Sequence, residues 1–381
     1  MTQVNNKPPA SIYKQADTDG KFKRQDAQFR NTISKDGKHQ PEKGRYLLYA
    51  NLLCPWACRT LITRSLKGLE DIIDVSILHY TLTENGWTFE SDTPEATGDP
   101  LFGAKYIKEI YHKANPEYNL RYTVPVLFDK KLNTIVNNES SEIIRIFNEA
   151  FDELLPTDSP KRGLNFYPED LRQEIDDLNE WVYHNFNNGV YKTGFATKQE
   201  VYEENVLAVF ESLDKLEKIL SDGREYLVGG RLTEADIRTY VTAVRFDTAY
   251  HTKFKCNIKM IRHDYPNVHR WLRHMYWDIP EFKKCTNFDH IKGGYYYAVS
   301  DGDKAGGVVP LGPRPHILPK DAADIKTELL TIPLPLSKEN RNKNIQVMSS
   351  SVFHDLRTPI LYSSAIHIGW SLHKTRTLNL W

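Results

Sequence analysis

The sequence predicts an α/β domain followed by an all-α domain. Two observations carry that expectation. Up to about residue 151, short apolar runs of strand length alternate with stretches of helical period. From 168 to 290, only the helical spacing of three and four continues. Length and composition agree. The 381 residues are 40% apolar and 26% charged, enough for two ordinary globular domains with buried cores.

Taken in order, residues 1–40 are polar and mixed in charge and read as an N-terminal arm. Tyr46-Leu47-Leu48-Tyr49-Ala50 is the first strand, a helix is expected over 57–67, and residues 75–80 form the second strand. Residues 81–102, with Gly, Pro, Asp and Thr, read as a loop, followed by a helix over 103–114. Residues 124–128 and 134–136 are two further strands, and 140–151 is an amphipathic helix with Ile143, Ile144 and Phe147 on one face. The order βαβ, α, ββ, α is thioredoxin-like. It places an α/β domain over 41–155 and a helical domain with a return segment over 165–320. In the helical part, Val206, Phe210, Leu213, Leu216 and Leu220 share one face, and Pro266 opens a helix carrying Val268, Trp271, Leu272 and Met275. Thr233 and Asp236 have the spacing of a capping box. Residues 321–381 show no sustained period and are expected to be a disordered tail or one foreign to the fold.

Composition narrows the function. Lys plus Arg equals Asp plus Glu, so no net field gathers phosphates and a nucleic-acid partner is not expected. No apolar run reaches the length of a membrane span, so no membrane partner is expected either. Four cysteines in a chain of this length do not make a disulfide framework, and the N-terminus lacks a secretory apolar core. A reduced, cytoplasmic protein is the expectation, with no metal. The 21 tyrosines suit a pocket for a flat organic ligand as well as they suit ordinary packing.

Three segments carry candidate chemistry. In Cys54-Pro55-Trp56-Ala57-Cys58-Arg59, a cysteine lies between a strand and a helix start. Free N–H groups and the helix dipole there favour a thiolate, and Arg59 and Arg64 are expected to add positive charge. Cys58 is four residues on, not three, so one-thiol chemistry is expected, completed by an external thiol. In Arg121-Tyr122-Thr123-Val124-Pro125-Val126, Pro125 is a candidate cis-proline, and Val124 before it can offer its backbone to a peptide-like ligand. In Asn138-Glu139-Ser140-Ser141, a helix start supplies amides and a hydroxyl for a carboxylate, while Glu139 suits an ammonium. Alone, this last segment is equally a helix cap. In combination the three would hold an amino-acid head group near a reactive sulfur.

With these motifs the chain resembles the glutathione transferases, and among them the glutathionyl-hydroquinone reductases of the Xi class, related to the Omega class. Gly86-Trp87-x-Phe89, Asn188-Gly189-Val190-Tyr191, Ala235-Asp236-Ile237-Arg238, Arg245-Phe246-Asp247 and His290-Ile291-Lys292 extend the likeness over residues 30–318. The resemblance implies the glutathione-transferase fold, glutathione as co-substrate and a homodimer. It implies that Cys54 attacks the sulfur of a glutathionyl-hydroquinone, and that a second glutathione then resolves the mixed disulfide. Trp87, Arg121, Val124, Glu139 and Ser140 match the family's glutathione-binding positions. Tyr191 and Tyr296 would act on the aromatic leaving group, in a pocket shared with Tyr295. Where the family has His-Tyr-Tyr, this chain has Gly293-Gly294-Tyr295-Tyr296-Tyr297, so which tyrosine faces the pocket stays open. Two rivals stand beside this reading: an Omega-like thiol transferase or dehydroascorbate reductase using the same cysteine, and a non-catalytic interaction module on the same fold.

Overall fold

The computed structural model describes residues 17–83, 85–90, 93–297 and 308–320. All of them belong to the first of the chain's two compact units, Met1–Ile332. Residues 1–16, 298–307 and the tail expected over 321–381 lie outside the described residues.

Among the described residues the main sheet has four strands, in the order Ile73–Ile77, Tyr46–Ala50, Val126–Asp129, Thr134–Asn137. β1 (Tyr46–Ala50) pairs parallel with β2 (Ile73–Ile77), across α1 (Pro55–Leu66). The two-residue strands β3 (Leu82–Thr83) and β4 (Gly86–Trp87) form a ribbon inside the segment expected to be loop. After α2 (Ile107–Ala114) come β5 (Val126–Asp129), antiparallel to β1, and β6 (Thr134–Asn137), antiparallel to β5. α3 (Ser140–Glu149) closes the domain and packs with α1 on the sheet. β1 is buried along its whole length because it is central and covered on both faces, which is why it reads as a continuous apolar run rather than an alternation.

Boundaries shift for local reasons. α1 starts at Pro55, not 57, since proline's missing N–H costs nothing at the first helical position. α2 starts at 107, not 103, because the Glu109 carboxylate accepts the amides of Lys105 and Tyr106 and ends the loop there. β5 starts at Val126, since Pro125 has no N–H to give the ladder. The second strand ends at Ile77, where the chain turns to bring His79 against the Cys54 loop.

The helical part contains α4 (Arg172–Trp181), α5 (Gly189–Gly194), α6 (Gln199–Ile219), α7 (Glu234–Arg245), α8 (His251–Lys253), α9 (Ile261–Asp264), α10 (Pro266–Asp278), α11 (Pro280–Lys284) and α12 (Phe288–Lys292). α7 is buried nearly throughout and packs on α1, joining the two parts. Three wide π turns interrupt the helices, at Val182–Asn187, Phe246–Tyr250 and Gly293–Tyr297. Such turns rotate the following side chains off the helical register. Residues 308–320 accept hydrogen bonds from the helical part, from Arg262 to Pro315 and His316 and from Trp277 to Leu318. The arm from residue 17 onward crosses from Phe195 of the helical part to β6 through the Phe22 ring and an Arg30–Asn137 bridge.

Candidate active site

Cys54 is the N-cap residue of α1, in extended backbone conformation, with no side-chain hydrogen bond to its own helix. Its loop is held by Asn51, whose Oδ1 accepts from the Leu53 amide at 2.7 Å and whose Nδ2 donates to the His79 carbonyl at 2.7 Å. The Sγ lies 3.7 Å from the Val124 carbonyl, and the Val124-Pro125 bond is cis, as the sequence suggested. Burial works against the expected ease of ionisation. Burial pushes the Cys54 thiol up, against the downward pull of the Ala57 amide, Arg245, the Trp56 amide and Arg24. Nor do the expected arginines supply that charge. Arg64 turns away to the carbonyls of Ile73 and Glu70, and Arg59 is engaged with Ser140.

A cleft adjoins the thiol's neighbours and is lined by Arg24, Trp56, Arg121, Val124, Glu139 and Ser140 among others. Four predicted glutathione positions therefore meet at one cavity. Trp87, on β4, is half-buried and is not among its lining residues. Ser140 Oγ accepts from Arg59 at 3.0 and 2.5 Å, which leaves its own proton to be given elsewhere. Glu139 caps α3: its Oε1 accepts from the Ser141 amide at 2.9 Å and hydroxyl at 2.8 Å. Burial opposes its charge, but Arg59 and Ser141 hold its carboxyl below the ordinary value, so it is an anion.

The arm supplies what sequence reading missed. Arg24 stacks over the Trp56 ring at 4.3 Å and donates to Asn188 Oδ1 at 2.8 Å, putting a cation on the cleft rim. It is 164 residues from Asn188, and nothing local in a polar arm marks it.

Beyond Trp56 lies a tyrosine cluster. The Tyr191 hydroxyl is 2.7 Å from that of Tyr295, which is 3.1 Å from that of Tyr250. Burial pushes all three phenols up, so they are neutral and able to donate. Tyr191 also feels the charge of Cys54, which places the cluster beside the thiol. Tyr296 does not join it. Its hydroxyl donates to the Thr248 carbonyl at 3.2 Å, because the π turn sends successive tyrosines to opposite sides. Tyr295 is the one that faces Tyr191. The two glycines before it serve close packing: a Cβ on Gly294 would meet Leu53 at 2.3 Å, beside Cys54. Among the described residues no group of three or more His, Cys, Asp or Glu is placed to hold a metal.

A thioredoxin-like sheet with a thiol at the start of its first helix, joined to a helical bundle that covers the cleft, defines the glutathione-transferase class of protein. Family models for the glutathione S-transferase N-terminal domain and C-terminal domain match residues 53–150 and 199–274. Glutathione S-transferase omega-like 2 of Schizosaccharomyces pombe is 50% identical over 301 residues, 78% of this chain and 95% of the relative. Glutathionyl-hydroquinone reductase YqjG of Escherichia coli is 48% identical over 309 residues, 79% of this chain and 92% of the relative. The glutathione-bound structure of YqjG from that organism matches with a TM-score of 0.71 and 46% identity, covering 77% of this chain and 96% of that one. The glutathione-S-transferase Xi of Phanerochaete chrysosporium matches with a TM-score of 0.78 and 53% identity, covering 83% of this chain and 100% of that one. The chain belongs to the glutathione S-transferase family, in its Xi class.

Proposed function

We propose that the chain is a glutathione-dependent reductase that removes glutathione from glutathionyl-hydroquinones. The observation that carries this reading is the meeting, at one cleft, of the Val124 backbone, two guanidinium groups and one carboxylate, with an N-cap thiol 3.7 Å from the Val124 carbonyl and phenol donors alongside. Glutathione presents two carboxylates, one ammonium and a peptide backbone. Arg121 and Arg24 suit the carboxylates, Glu139 the ammonium, and Ser140 a further carboxylate oxygen.

In the first step the Cys54 thiolate attacks the conjugate's sulfur. The carbon–sulfur bond breaks, its electron pair goes to the ring carbon, and that carbon takes a proton from Tyr191, backed by Tyr295 and Tyr250. Hydroquinone leaves and a Cys54–glutathione disulfide remains. A second glutathione attacks the glutathione sulfur, releasing oxidised glutathione and the Cys54 thiolate. One conjugate and one glutathione thus give hydroquinone and oxidised glutathione, with no other reductant. The thiol proton of the second glutathione restores Tyr191, and Cys54 re-enters the cycle as its thiolate.

Tyr296 takes no part in the proton step in this reading; it fixes the turn that aims Tyr295. Trp87, half-buried on β4, packs on the peptide of glutathione in this reading. A homodimer in a reducing, cytoplasmic setting belongs to the same proposal, by kinship, and light scattering on the purified chain checks the first part. The main test is a substrate panel: a glutathionyl-hydroquinone, a small mixed disulfide, dehydroascorbate and a chloro-nitroaromatic. Fastest turnover is expected on the glutathionyl-hydroquinone. No turnover of it, with rapid reduction of the mixed disulfide, would leave the Omega-like thiol transferase instead.

A further inference from the structure

Arg245, the last residue of α7, is completely buried, and none of the roles described so far uses it. Its Nε donates to the Leu53 carbonyl at 3.0 Å and one terminal nitrogen to the Leu52 carbonyl at 3.0 Å. The other terminal nitrogen donates to the Val241 carbonyl at 2.7 Å, one turn back on its own helix. Leu52 and Leu53 are the two residues before Cys54. A side chain of the helical part thus grips the loop of the α/β part that presents the thiol.

The charge balance is unusual. The three other buried arginines each face a carboxylate: Arg45 reaches Asp129 at 2.6 Å, Arg59 reaches Glu139 at 3.7 Å, and Arg262 reaches Asp247 at 3.3 Å. Among the described residues Arg245 forms no ion pair; three of its partners are neutral carbonyls, and the Cys58 side chain is a fourth. A buried guanidinium with neutral partners is strongly disfavoured unless an anion forms nearby. The titratable groups around it are Cys58 of α1, Tyr240 of α7, Tyr250 and Tyr295 of the two π turns, and Cys54. Of these, Cys54 is the one the proposed reaction turns into an anion.

We propose that Arg245 is a positioning residue for Cys54: it clamps the Leu52–Leu53 carbonyls so that the sulfur stays at the helix start, and its unpaired charge is answered by the Cys54 thiolate. This rests on the reading of Cys54 as the nucleophile. The electrostatics agree. Burial pushes the thiol up, the Ala57 amide pulls it down, and Arg245 is the strongest charge acting in the same downward sense, ahead of the exposed Arg24.

The test is the pH profile of Cys54 alkylation by iodoacetamide, followed on the Cys54 peptide by mass spectrometry in the full chain. Arg245→Gln keeps donors for the carbonyls and removes the charge. Arg245→Lys keeps the charge and loses the planar fork. The expected profile for Arg245→Gln has its midpoint raised by about one pH unit or more, so that alkylation at pH 7 slows about tenfold. Arg245→Lys is expected to stay within about half a unit of the wild type. Glutathione binding, by calorimetry, stays within about threefold in both, while kcat falls and KM holds. Equal midpoints in all three proteins overturn the proposal, and so does a Lys variant shifted as far as Gln. Wild-type salt dependence needs no variant. A buried cation is not screened, so the midpoint should hold between low and 1 M salt; a rise of about one unit would assign the effect to exposed Arg24 and overturn the proposal. A wild-type Cys54 that takes up no glutathione from oxidised glutathione removes the parent reading, and this proposal with it. A reactive Cys54 indifferent to residue 245 removes the proposal alone.

Discussion

Two helix starts in this molecule are built oppositely. At α7, Thr233 is the N-cap and the Asp236 carboxylate fills the end: it accepts the Thr233 amide at 3.1 Å, the Leu227 amide at 2.9 Å and the Trp271 indole at 3.1 Å. At α1 the N-cap is Cys54, with no acidic residue in the first turn and no cap from its own side chain. One end is closed by its own sequence; the other is left for a sulfur anion and a ligand. The comparison teaches that an unfilled helix end is a cost to stability kept where chemistry needs the amides.

Exchanging the cap is the strongest way to break the comparison. Cys54→Ser should lower turnover of a glutathionyl-hydroquinone by at least about a thousandfold, since an alcohol is a far poorer nucleophile. Because serine is a good N-cap, the same variant should be more stable by up to about 1 kcal/mol, read by denaturant unfolding, and should keep glutathione binding. A Cys54→Ser enzyme that retains a tenth of wild-type turnover would defeat the nucleophile assignment.

The opposite exchange removes the filler. Asp236→Ala leaves the Leu227 and Thr233 amides and the Trp271 indole without their acceptor, and should cost about 3 kcal/mol in unfolding free energy with turnover at low temperature nearly intact. Asp236 also gives a pH signature. Burial pushes its carboxyl up to about 6, against the Leu227 and Thr233 amides and Trp271. The folded value lies above the ordinary 3.8, so the folded state keeps the proton longer. That contribution is complete below about pH 4 and is lost as pH rises through 6. Relative to Asp236→Asn, which cannot titrate, the wild type should lose melting temperature between pH 5 and pH 7. A constant difference across that range would place the Asp236 pKa near normal.

Smaller effects sharpen the α1 end. Tyr191→Phe should slow the release of hydroquinone about ten- to a hundredfold, the usual yield of one positioned acid, with little change on a small mixed disulfide. Tyr296→Phe, whose hydroxyl bonds the Thr248 and Ala249 carbonyls and the Thr252 side chain away from Tyr191, should stay within about threefold; a larger loss than Tyr191→Phe would reverse their roles. Cys58→Ser should change turnover least, within about twofold, because Cys58 is buried and its thiol donates to the Cys285 carbonyl.

What was legible in the sequence was what is local. Strand-length runs, the Pro55 helix start and the Thr233–Asp236 spacing each depend on residues within four or five of one another, and the structure has them within a few residues of where they were expected. Trp87 was placed by resemblance alone, since its short ribbon has no periodic signal to orient it. The tyrosines were legible as a cluster but not individually. A one-residue change of direction in a π turn decides between Tyr295 and Tyr296, and no periodicity of 3.6 anticipates it.

By itself, then, the sequence determined that Cys54 lies at a helix start after a strand, that Pro125 is a candidate cis-proline and that a helical domain follows, because backbone propensity and capping act over a few residues. Only the tertiary structure decided which charges meet the sulfur. Arg24 comes from the polar arm, and Arg245 reaches Leu53 across 192 residues of chain. Such contacts follow from how two packed bodies dock, and chain neighbours carry no record of them.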